Sequence, residues 1–206
     1  MDTPGQARGP LPQRERAANV EVDGSAGLEM TARASGDEWD AERCSIGPMH
    51  YEMYMRAALS EASLASTAGE RADGAVAVLD EAMVAHGRAQ VRATGDPTAH
   101  AVVTVLREAA RRLARPSLSG LTVFCTVEPC IMCVGALLES DADGLVYALA
   151  DPVDGAAGSL IQLADSDLLP RRLRIVSGIL QEEAADLRPD LREGRSAAFP
   201  GFARAR

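Results

Sequence analysis

Thr126-Val127-Glu128-Pro129-Cys130-Ile131-Met132-Cys133 is the stretch on which the fold turns. It joins the end of an apolar run, residues 121–127, to a proline followed by a Cys-x-x-Cys pair. β-Branched and aromatic residues favour a strand, and proline is tolerated in the first turn of a helix, where its missing N–H costs nothing. The segment therefore predicts a strand over 121–127 and a helix over 130–139. Unpaired N–H groups and the positive end of the macrodipole at a helix start lower a thiol pKa and favour metal-binding thiolates. By itself the pair is equally consistent with a thiol redox centre, half of a structural zinc site, or two ligands of a catalytic zinc.

Context upstream separates these readings. Asp96-Pro97-Thr98-Ala99-His100 reads as a helix start, with Asp96 as N-cap, Pro97 in the first helical position and a helix running to about residue 114. His100 then lies in the first turn and can add a nitrogen to the sulfurs of Cys130 and Cys133. Three protein ligands leave a fourth position open, as catalytic zinc sites do and structural ones do not. A redox pair leaves the histidine segment unexplained, and a structural finger needs a fourth Cys or His at short spacing. His50 and His86 have no ligand-like neighbours and read as ordinary surface or partly buried residues. Cys125, inside an apolar run, reads as a small buried hydrophobe, and Cys44 has no partner.

Working outward, Tyr51, Tyr54, Met55, Ala58, Leu59, Ala62 and Ala65 recur at helical steps and predict a helix over 48–68 with one buried face. The apolar runs 74–79 and 83–91, split by Asp80-Glu81, predict two strands and a tight turn. Further strands are predicted over 145–149 and 174–177, a short helix over 159–164 and a last one over 180–187. Strands alternating with helices give a three-layer α/β/α domain around one mixed sheet of five strands. The domain is read as 48–190. Residues 1–47, rich in Gly, Ala, Pro and charge, read as a disordered extension, with a short docking segment around Trp39 as the alternative, and 191–206 as a flexible tail.

No apolar run approaches a membrane span, and residues 1–19 do not resemble a signal peptide, so the chain is read as cytoplasmic with no membrane partner. Its formal net charge of −9 opposes binding of a polyanion, because affinity for nucleic acid rests on cations that neutralise phosphates.

With these segments in view, the sequence resembles the bacterial tRNA adenosine deaminases, a family of cytidine-deaminase-like zinc enzymes. The resemblance extends over about residues 54–185. It is carried by Tyr54-Met55-Arg56, Gly74-Ala75-Val76, Asp96-Pro97-Thr98-Ala99-His100, Leu106-Arg107-Glu108-Ala109-Ala110, Thr126-Val127-Glu128-Pro129-Cys130, Met132-Cys133, Gly135-Ala136-Leu137, the run Gly155 to Leu160, and Gly178-Ile179-Leu180. It implies the cytidine-deaminase-like fold, Zn2+ held by His100, Cys130 and Cys133, a dimer, and descent from enzymes that convert adenosine to inosine at the tRNA wobble position.

The chain also departs from that pattern. In the family's reaction water is added to the ring carbon bearing the amino group, while a glutamate two residues after the histidine takes and delivers protons. Here that triplet is His100-Ala101-Val102, so Val102 occupies the glutamate position and no catalytic residue of the family is intact. General acid–base assistance is typically worth about 10²–10⁴ in rate. Glu108, two turns further along the helix, should lie about 9–12 Å away, too far to substitute, and Glu128 belongs to the family's ordinary Glu-Pro-Cys segment. Ala89 stands where the family carries an asparagine that contacts the target base, which leaves the substrate-binding residues unidentified. Basic positions are lost in Ser140-Asp141-Ala142-Asp143-Gly144 and at Val153, and Pro170-Arg171 replaces an Asn-His. A His-x-Val triplet is similar to that of the non-catalytic subunit of the eukaryotic heterodimeric wobble deaminase. The resemblance thus implies a catalytically impaired pseudoenzyme, a homodimer or the partner of an active deaminase paralogue, with weak tRNA binding alone. The competing expectation is a working deaminase of tRNA, or of a small nucleobase or nucleoside, with noncanonical proton transfer.

Overall fold

A computed structural model describes residues 20–22, 30–32 and 48–192. Its strands are β1 (Val20–Val22), β2 (Met30–Ala32), β3 (Gly74–Leu79), β4 (Ala82–Arg88), β5 (Thr122–Val127), β6 (Gly144–Leu149) and β7 (Arg174–Ser177). The helices are α1 (Pro48–Thr67), α2 (Val91–Thr94), α3 (Ala101–Leu113), α4 (Ile131–Glu139), α5 (Gln181–Leu187) and α6 (Pro189–Arg192). The strands lie in the order β2-β1-β7-β6-β5-β3-β4. β3 runs antiparallel to both β4 and β5, whereas β5, β6 and β7 are parallel, so the expected five strands form one mixed sheet.

Side chains alternate across a strand with period two, and here that alternation builds two cores. Ala75, Ala77, Val123, Cys125, Leu145, Tyr147 and Ile175 face a cluster shared with Val105, Leu106 and Ala109 of α3 and Val134 and Leu137 of α4. Val76, Val78, Phe124, Val146 and Val176 face the opposite cluster, with Tyr51, Tyr54, Met55, Ala58 and Leu59 of α1 and Ala184 and Ala185 of α5. Phe124 is fully buried, with the rings of Tyr51 and Tyr54 centred 5.6 and 5.1 Å away. This is the three-layer α/β/α architecture expected from the sequence. Among the described residues no helix is long and apolar enough to cross a membrane.

Several boundaries differ from the sequence reading. The segment expected to be disordered, 1–47, contributes two strands: β1 pairs in parallel with β7, and β2 pairs antiparallel with β1. A sheet edge offers unpaired backbone groups to any extended segment, and three residues are too few to show a strand period. Trp39 and Cys44 lie outside the described residues, as do 193–206 of the expected tail, but the chain is ordered through α6, where Leu191 is buried. The Asp80-Glu81 turn forms as expected, both residues taking positive φ of 49° and 62°, as two-residue hairpin turns require. β4 ends at Arg88 rather than at 91, and one turn of helix, α2, follows.

Asp96 does not cap α3. Its Oδ1 accepts hydrogen bonds from the Thr98 backbone N–H and hydroxyl, at 2.8 and 2.7 Å, so the carboxylate is spent on a local turn. α3 instead starts at Ala101, with His100 extended at its N-cap. The helix expected over 159–164 is replaced by turns and an Ala157–Gln162 bridge.

Candidate metal centre

Two helix starts meet at the site. His100 is the N-cap of α3 and Cys130 the N-cap of α4, each with extended backbone, and Cys133 sits inside the first turn of α4. Pro129 precedes the N-cap and feeds the chain from β5 into that turn. The α3 and α4 side of the sheet is one packed layer, so the two helix starts are brought together by the same core that buries Cys133.

The imidazole Nδ1 of His100 lies 3.6 Å from the Sγ of Cys130 and 3.6 Å from the Sγ of Cys133. The three donor atoms all fall within 4.8 Å of one another. Zinc bonds of about 2.3 Å to sulfur and about 2.0–2.1 Å to nitrogen, opened to a tetrahedral angle, give an N···S edge of about 3.6 Å. One nitrogen and two sulfurs at that edge fit zinc, with Nδ1 as the imidazole donor. Cys133 is buried, while His100 and Cys130 are half-buried.

The two thiols are electrically unequal. A hydrogen bond from Cys133, assisted by His100, holds the Cys130 thiol down at about 4. The same bond, together with burial, pushes Cys133 well above its ordinary value. Zinc held here would take both sulfurs as thiolates.

Among the described residues, Glu108, Glu128 and Asp151 are committed to other partners. The first turns of α3 and α4 hold no acidic residue. Val102, the second residue of α3, is 4 % exposed and belongs to the buried cluster that includes Cys133, Val134 and Ala156. Glu108 is bound to Arg111 and Arg112, whose hydrogen bonds hold its carboxyl down at about 2. Glu128 is buried, with both oxygens accepting backbone N–H groups. Asp151 is buried as well and caps its own turn through Val153 and Asp154.

Ala89 is buried just past β4, its N–H donating to the Asp73 carbonyl at 3.0 Å. The next N–H, from Gln90, donates to Ala99, which lays this segment beside the residues entering His100. His86 binds Glu61 at 2.8 Å and His50 lies near Glu81, both apart from the metal-ligating group, as the sequence suggested. Cys125 is a buried hydrophobe, also as expected.

Two features had no signal in the sequence. One is the engagement of Glu128. The other is Arg188, 4 % exposed at its side chain, which bridges Asp73 and Asp190 and ties the α5–α6 junction to the start of β3. Every cation in the chain is an arginine. Many pair with acids, among them Arg107 with Asp96, Arg171 with Asp141 and Arg172 with Asp167.

Residues 48–149 match the family described as the cytidine and deoxycytidylate deaminase zinc-binding region. The chain is 34 % identical over 136 residues to the tRNA-specific adenosine deaminase of Bacillus subtilis, covering 66 % of this chain and 84 % of that protein. It is 37 % identical over 135 residues to the tRNA-specific adenosine deaminase of Haemophilus influenzae, covering 65 % and 78 %. A structure solved in work on A-to-I editing by tRNA:A34 deaminases superposes with a TM-score of 0.64 at 32 % identity, over 66 % of this chain and 98 % of that one. A guanine deaminase from Nitrosomonas europaea superposes with a TM-score of 0.57 at 25 % identity, over 72 % and 84 %.

Proposed function

Since the chain belongs to the zinc-binding deaminase family that includes the tRNA-specific adenosine deaminases, we propose that it keeps the family's metal while having lost efficient deamination, and acts as a structural or regulatory subunit. The observation that carries this reading is the first turn of α3, where Val102 is buried among apolar side chains two positions after His100. Zinc bound here supplies Lewis acidity that activates water toward a ring carbon bearing an amino group. Hydrolytic deamination also needs a group that moves protons between that water, the ring nitrogen and the leaving amine. Valine moves none, Glu108 is turned to its arginines, and Glu128 is held by backbone donors. Ala89, in the segment beside His100, offers a methyl where the family resemblance places an amide for the base.

A working deaminase with another route for protons is the competing reading, and the intact His100, Cys130 and Cys133 set favours it. Inosine and ammonia release from an anticodon stem-loop, and ammonia release from free nucleobases, measured on zinc-loaded protein, separate the two. Rates at the uncatalysed background support the pseudoenzyme, and turnover at rates typical of enzymes overturns it. In either case the protein is proposed to be cytoplasmic and to work as a dimer, with itself or with an active paralogue. Light scattering at micromolar concentration distinguishes self-association from a monomer that awaits such a partner.

A further inference from the structure

Glu128 lies one proline away from Cys130, and backbone donors take up its carboxylate. The residue is 4 % exposed. Its Oε2 accepts the N–H of Asp151 at 3.0 Å, and its Oε1 accepts those of Ala157 at 2.9 Å and Ser159 at 3.0 Å. The loop that supplies these donors, residues 151–159, folds back on the ligand-bearing segment. Cys130 and Gly155 form an isolated antiparallel bridge, and the Ala156 N–H donates to the Pro129 carbonyl at 2.9 Å. Gly155 is required by this packing, since a Cβ there would stand 2.4 Å from the Asp151 carbonyl oxygen and 2.5 Å from both Cδ and Oε2 of Glu128.

We infer that Glu128 is a positioning residue for the metal centre: its carboxylate gathers three backbone donors of loop 151–159, and that loop fixes the backbone of Cys130. Buried N–H groups need partners, and 151–159 contains no helix or strand that could supply them. Hydrogen bonds to a carboxylate are about twice as strong as neutral ones, so one side chain orders both ends of the loop. The bridge to Gly155 then holds Cys130 where its Sγ meets His100 Nδ1. The inference rests on the metal centre and is independent of whether the protein deaminates anything.

Two substitutions perturb the contact from opposite sides. Glu128→Gln keeps the volume but turns one acceptor oxygen into an amide that faces a backbone donor. Gly155→Ala leaves the carboxylate's chemistry intact and crowds it with a methyl group, which also presses on the Asp151 carbonyl that accepts the Gly155 N–H. Zinc affinity is read by competition with a chromophoric chelator, the coordination geometry by the Co2+ absorption spectrum, and folding by circular dichroism. Partners one step removed from a metal ligand typically contribute 10–100-fold to metal affinity. Both variants should therefore fold and bind zinc at least about tenfold more weakly, with shifted and weakened Co2+ bands. Folded Glu128→Gln with unchanged zinc affinity and an unchanged Co2+ spectrum overturns the inference. If neither variant folds, hydrogen exchange of the wild-type protein decides the matter: slow exchange at Asp151, Ala157 and Ser159 supports it, and exchange at the rate of exposed amides overturns it.

Discussion

The imidazole Nδ1 of His100 and the Sγ of Cys133 lie 3.6 Å apart although 33 positions separate them in the chain. Each is delivered by the start of a different helix, and the packing of α3 against α4 holds the distance. The donor pair is thus placed by two helix ends that the fold brings together.

One zinc per chain is therefore expected, lost when Cys130 and Cys133 are both replaced by alanine. Elemental analysis of purified protein checks this. Full zinc occupancy in the double variant would place the metal elsewhere.

Val102→Glu alone is expected to restore at most slight deamination of an anticodon stem-loop, whereas Val102→Glu with Ala89→Asn restores distinctly more. The first change returns a proton carrier next to the metal. The second helps to hold the base, and misplacement by about an ångström can cost about 10²-fold in rate. Single-turnover inosine formation by the wild type, both single variants and the double variant is the measurement. A wild-type rate that Val102→Glu does not raise would show that the glutamate position is immaterial here.

Arg188 is the buried cation that joins Asp73 and Asp190, so Arg188→Leu should destabilise the fold by about 3 kcal/mol. That is the low end of the range of about 3–5 kcal/mol for breaking a buried pair, because Arg71 remains paired with Asp73 at 2.6 Å. Chemical denaturation at neutral pH reads the difference. Burial by itself would raise the Asp73 carboxyl, but Arg71 and Arg188 outweigh it and bring it below its ordinary value. A carboxyl lowered in the folded state contributes stability that is full above its unfolded pKa, about 3.9, and is lost as pH falls through the lower folded value. Asp73→Asn should therefore flatten the acid limb of the stability curve below about pH 4. An unaltered acid limb would mean that Asp73 titrates alike in both states.

Binding of the isolated chain to tRNA is expected to be weaker than micromolar at physiological salt, with a shallow salt dependence. The net charge is −9, and arginines such as Arg107, Arg111, Arg112, Arg171 and Arg172 already bind carboxylates. Each phosphate contact would have to displace one of these acids as well as counterions. A filter-binding titration across salt concentrations that gives tight binding and a steep slope would reveal a basic surface formed in another way.

The candidate metal-ligating group, His100, Cys130 and Cys133, was legible in the sequence because its signals are local. A proline before Cys-x-x-Cys and a histidine after Asp-Pro-Thr-Ala each mark a chain entering a helix, whereas the packing of α3 against α4 brings the two helix starts together. The five strands of the mixed sheet and the buried face of α1 were legible for the same reason, since apolar periods of two and of about 3.6 are written into neighbouring residues. What the chain does at long range left no such trace. Glu128 meets donors 23, 29 and 31 positions further on, and Arg188 meets Asp73 across 115. Nothing beside these residues in the sequence marks a partner, and a buried charge is tolerable only once folding has assembled all the groups that satisfy it. The N-terminal strands β1 and β2 likewise exist because β7 presents an edge to pair with, and Asp96 closes its own turn because Thr98 offers two donors, leaving His100 to begin α3.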